Sequence, residues 1–107
     1  MTFTEKKLGQ TQPTSTSNVT LFTATTRTVV KSIRICNTTS SDAKFKLYVV
    51  DSGDSASVSN AIYYDLNIPN NQTIGDDGYL VLENGDSIVV QTETANTITF
   101  TINGAEL

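Results

Sequence analysis

Apolar and polar side chains alternate with a period of two along most of this chain. In "TVVKSIRICN", Ile33 and Ile35 alternate with Ser32 and Arg34; further on, Phe45, Leu47 and Val49 alternate with Lys44, Lys46 and Tyr48. At the C-terminal end Ile98, Phe100 and Ile102 alternate with Thr97, Thr99 and Thr101. This is the spacing of half-buried β-strands, with one face toward a core and the other toward solvent. Shorter runs begin at Val19, Leu21 and Phe22, at "YLVL" after Gly78, and at Ile88 and Val90. In "AIYYDLNI" the alternation places Ile62, Tyr64, Leu66 and Ile68 inside and Tyr63, Asp65 and Asn67 outside. Extending the phase of Ile33 and Ile35 backwards would bury Lys31 and expose Val30, so a bulge is expected near Val29-Val30-Lys31.

Turn-forming clusters separate the runs: "DSGDSAS" at 51–57, "NNQTIGDDG" at 70–78, and Asn84-Gly85, which reads as a two-residue hairpin turn. No helical periodicity occurs. Strands at this spacing predict an all-β fold, a single antiparallel β-sandwich of about seven to eight strands with immunoglobulin-like or jelly-roll connectivity. Residues 1–18 differ from the rest, being Thr-, Ser- and Gln-rich with Pro13 and few apolar side chains. They are expected to form a flexible or extended arm ahead of a sandwich domain spanning 19–107, so that removing residues 2–17 leaves the sandwich folded.

A chain of 107 residues is one domain and buries enough surface for a core without cross-links. Its net charge of −4, with seven scattered basic residues, disfavours nucleic acid and anionic membrane surfaces as partners. No apolar run reaches the length of a membrane span, and no hydrophobic stretch follows Lys6 and Lys7, so synthesis without an export signal is expected. The acceptor triplets at Asn18, Asn37 and Asn71 therefore carry no weight as glycosylation sites.

The chemistry available is sparse. With no histidine, the commonest general base and metal ligand is absent, and no relay of the Ser-His or Cys-His kind can form. Cys36 lies in a strand and reads as a small hydrophobe rather than a nucleophile. Asp76 and Asp77 are neighbours in a turn, whereas paired catalytic carboxyls face each other across a cleft. Calcium is the one metal the loops "DSGDS" and "GDDG" could attract, but neither follows the twelve-residue calcium-loop pattern. No enzymatic activity and no cofactor are expected.

What remains is surface. Tyr48, Val50, Tyr63, Tyr79 and Val81 fall on outward positions and are the candidate protein-interface residues, joined by Lys6, Lys7 and Leu8 of the arm. Several stretches together, "KLGQTQP", "TRTVVKSIRICN", "FKLYVV", "GYLVLENGDSIVVQT" and "TFTINGAEL", resemble small virion-associated proteins of tailed bacteriophages. Where those proteins often carry a Pro-x-Gly turn, this chain has Ala24-Thr25-Thr26-Arg27. The resemblance implies a non-enzymatic virion structural protein: a capsid decoration (cement) protein, a head fibre, or a neck or tail accessory. It implies a particle-surface location after synthesis in the host bacterial cytoplasm. The expected partners are other copies, as a trimer if it sits at capsid three-fold positions, and the major capsid protein or other virion proteins. The alternative is a fibre or tail module that binds host-surface carbohydrate.

Overall fold

The computed structural model describes residues 2–107. Nine strands follow one another: β1 (Thr4–Thr11), β2 (Val19–Thr23), β3 (Thr28–Asn37), β4 (Ala43–Val50), β5 (Ala61–Ile68), β6 (Thr73–Asp76), β7 (Leu80–Leu82), β8 (Ser87–Thr92) and β9 (Ile98–Glu106). The one helical element described is a single 3-10 turn, Val58–Asn60, so none is long and apolar enough to cross a membrane. Sheet A runs β1-β9-β3, with β6 and β7 end to end along the remaining edge of β3; sheet B runs β2-β8-β4-β5. All pairings are antiparallel. The chain crosses to the opposite sheet at every connection except β4–β5 and β6–β7. With β6 and β7 sharing one strand position, this is the eight-position jelly roll, the second of the two connectivities the strand pattern allows.

Between the sheets lie Ile33, Ile35, Phe45, Leu47, Ile88, Val90, Ile98, Phe100 and Ile102, each 1% exposed or less. Burying one such side chain stabilises by about 1.5–3 kcal/mol. The Phe45 and Phe100 rings join the two sheets edge to face, with centroids 5.6 Å apart. The register of β3 and β9 shifts between Val30 and Ser32, where Lys31 is the extra residue. That bulge buries Val30 and leaves Lys31 exposed, as the conflict of phases in the sequence requires.

Three expectations change. The segment 1–18, of which residue 1 lies outside the described residues, is extended but is not a free arm. Thr4–Thr11 pairs with β9 from Thr4↔Glu106 to Thr11↔Phe100. Beyond it Pro13 is buried, and its carbonyl accepts from the Asn96 N–H at 2.9 Å. The ladder of β9 supplies the segment with backbone partners that its own composition could not predict. Next, Asn84-Gly85 does not join a hairpin, because β7 lies in sheet A and β8 in sheet B. Its turn is closed by Asp86 N–H to the Glu83 carbonyl at 3.0 Å and carries the chain across the sandwich.

The third change is the phase of β5. Two steps along β4, from Phe45 to Leu47, are matched by three along β5, from Leu66 back to Tyr63, and a second extra residue lies between Tyr63 and Ala61. Asp65, within this bulge, takes a left-handed φ of 54°. Tyr63 consequently turns inward, its ring 5.4 Å from that of Phe45, while Ile62 and Tyr64 are exposed.

Candidate interaction surface

On sheet A, residues opposite one another across the ladders share a face, and the row Glu5–Ala105–Val29–Val81 runs along its outer side. Val81 is 51% exposed, and Tyr79, immediately before β7, is 71% exposed. Val29, Lys31, Asp77 and Tyr79 line an open depression of about 410 Å³. Charged side chains frame it. Lys31 reaches Glu5 at 3.2 Å, and Arg34 reaches Asp77 at 3.0 Å. Exposed pairs like these add little stability, about 0–1 kcal/mol each, but they give the apolar floor a polar rim, the arrangement of protein–protein contact surfaces.

The loop that presents Tyr79 is anchored from the other sheet. The Tyr63 hydroxyl donates to Asp76 Oδ2 at 2.5 Å, and the Gly78 N–H donates to Asp76 Oδ1 at 2.8 Å. These bonds hold the Asp76 carboxyl below its ordinary value, the tyrosine contributing most. Partial burial, and then the same hydrogen bond to Asp76, push the Tyr63 hydroxyl up to about 12. Tyr63 is therefore a positioning residue for the surface, behind it rather than on it.

The remaining candidates separate. Lys6 and Lys7 are exposed on β1, Lys6 paired with Glu106 at 2.9 Å and Lys7 in the outer row Lys7–Asn103–Ser32 beside the depression's row. Leu8 is half-buried against the core. Tyr48 and Val50 do point outward from sheet B, yet they are only 6% and 5% exposed. With Val89 they form a second small core, covered by Ala56 and Ala61. Tyr79 and Val81 are thus the outward candidates that remain open. The alternation rule missed Ile62, Tyr64 and Leu66, exposed on the edge strand β5. Asp65 in the middle of an apolar run was the available sign of that bulge.

Of the two loops considered for calcium, "GDDG" engages its carboxylates within the fold: Asp76 with Tyr63 and Gly78, Asp77 with Arg34. Among the described residues no three His, Cys, Asp or Glu side chains come together. Cys36 is half-buried at an outward position of sheet A, opposite Thr73 and Thr99.

No family model matches this chain, and no curated protein matches it. Among solved structures, a chain of the structure of infectious bursal disease virus Gx strain superposes with a TM-score of 0.50 and 10% sequence identity. The match covers 97% of this chain and 30% of that one, so this chain spans less than a third of the length of the protein it resembles. At that identity the likeness speaks for the fold.

Proposed function

We propose that the chain is a non-enzymatic structural subunit of a virion, a decoration (cement) protein that docks on the assembled capsid of a tailed bacteriophage. The observation that carries this reading is the open Tyr79–Val81–Val29 surface with its charged rim on the outer face of sheet A. A jelly roll hosts many functions, so the fold alone decides nothing. It is consistent with the reading that a virus-particle chain shares this fold over nearly all of the present one. The sequence resemblance supplies the phage assignment.

In this reading copies of the protein associate with one another, as trimers at three-fold positions, and with the major capsid protein. Lys7 extends the contact along β1. Many equivalent weak contacts on a lattice then act together. The test is co-sedimentation of the purified protein with capsids lacking it, followed by electron microscopy. Binding by the wild type and its loss in Tyr79→Ser/Val81→Ser, with the circular dichroism spectrum unchanged, would support the assignment. A wild type that stays in the supernatant, or a double variant that decorates equally well, would refute it.

A further inference from the structure

The opposite face of the sandwich carries a second kind of surface. Over the outer side of sheet B lies an open cleft of about 440 Å³, and Thr16, Lys44, Lys46, Asp65, Gln91 and Glu93 are among its lining residues. One wall is the linker between β1 and β2, fixed by the Gln91 Nε2 hydrogen bond to the Thr16 carbonyl at 2.9 Å. The size suits one or two sugar rings.

Two features point to the class of ligand. First, the lining is largely polar and balanced, with two lysines, two carboxylates, an amide and two threonines beside Phe45. Such a set opposes a phosphate or a polyanion, because each cation has a carboxylate in the same cleft. It suits a neutral polyol, whose every hydroxyl both donates to a carboxylate and accepts from an ammonium or amide N–H. Lys46 is held by Asp65 at 2.6 Å, whereas Lys44 and Glu93 make no ion pair among the described residues and remain open to a ligand.

Second, the β5 bulge sets an aromatic ring beside that lining. An unbroken strand would send Tyr64 and Asp65 to opposite faces; here the extra residue brings both alongside Lys46. Lys46 Nζ lies 4.9 Å from the Tyr64 ring centroid and 2.6 Å from Asp65 Oδ1. Tyr64 is 52% exposed and has room for an apolar ring face to stack.

We propose that this cleft on sheet B is a binding site for a neutral oligosaccharide, with a pyranose stacked on Tyr64 and its hydroxyls shared among Asp65, Gln91, Glu93 and Lys44. Docking through sheet A would leave this face pointing away from the particle, but the site does not depend on that reading. A single site of this openness binds weakly, and repetition of the protein on a surface would multiply its strength.

The test uses the full chain, first on an array of neutral and anionic glycans and then by amide NMR titration with the neutral oligosaccharides that bind. The expected result is binding of at least one neutral glycan. Shifts should be confined to Thr16, Lys44, Lys46, Tyr64, Asp65 and Gln91 to Glu93. Tyr64→Ala should weaken binding by roughly tenfold, Tyr64→Phe should retain it, and Asp65→Asn, which tolerates the left-handed backbone, should weaken it without unfolding the strand. An array with no neutral glycan bound, shifts clustered elsewhere, or affinity unchanged in both Tyr64→Ala and Asp65→Asn would overturn the site. Capsid co-sedimentation of the same variants separates the two proposals, since Tyr64→Ala should decorate normally.

Discussion

Thr92 is 1% exposed, and its hydroxyl has no hydrogen-bond partner among the described residues. A sealed, unpaired hydroxyl costs about 1–3 kcal/mol, so Thr92→Val, nearly the same shape without the polar atom, is expected to stabilise the fold by about 1 kcal/mol. A higher urea midpoint at unchanged slope would show it. Asn37 is the opposite case. Fully buried, it donates from Nδ2 to the carbonyls of Ser41 at 2.8 Å and Ile68 at 3.0 Å, and it accepts from the Thr39 N–H and hydroxyl. Asn37→Ala strands those groups and should cost about 2–3 kcal/mol in the same experiment. The "NTT" triplet is therefore the corner where β3 leaves sheet A, its amide occupied inside the fold. Tyr63 and Asp76 shape the pH response. Asp76, with its folded pKa lowered, contributes stability above its ordinary value of 3.8 that is lost as pH falls through the lower folded value. Tyr63, with its folded pKa raised, contributes stability below 10.0 that is lost as pH rises toward about 12. Melting temperatures of Tyr63→Phe measured across pH should show both limbs flattened.

At the scale of strands, β9 is central to sheet A and carries Gly104, where an added Cβ would collide with the Val29 carbonyl oxygen. Gly104→Ala must push β3 and β9 apart and should cost about 3 kcal/mol, read as a fall in soluble yield and in unfolding midpoint. Strand β1 makes the same argument in larger form. Deleting residues 2–11 removes an edge of sheet A and the Leu8 side chain from the core, and should abolish cooperative unfolding rather than detach a tail. The strands with unbroken alternation, β4 and β9, were legible in the sequence, because burial on one face leaves its period in the residues. β1 was not. Its pairing to β9 is made by backbone groups that carry no side-chain signature, and only Leu8 marks its inner face. β5 was legible as a strand but not in phase, since one inserted residue reverses its faces between Leu66 and Tyr63 and a second reverses them again between Tyr63 and Ala61.

For the whole molecule, alternation tells which side of a strand is dry but not which strand lies next to it. The jelly-roll order therefore emerges only with the register, and the turn at Asn84-Gly85, locally a good hairpin, becomes a crossing between sheets. The same limit applied to the interface candidates. Tyr48 and Val50 face outward, as their period requires, but the connection from β4 to β5 roofs them over through Ala56. That roof, residues 51–60, makes sheet B a layer with a dry side in both directions over part of its area. The upper compartment is small, and its cover is a stretch of turns with Gly53 at a φ of 88°. Such a lid can lift while the main interior stays shut, so amide hydrogens of the 51–60 backbone should exchange sooner than those of β8 and β9. A protease cutting near Gly53 should leave a nicked body still holding together, its phenol ring at Tyr48 newly wetted and its fluorescence altered.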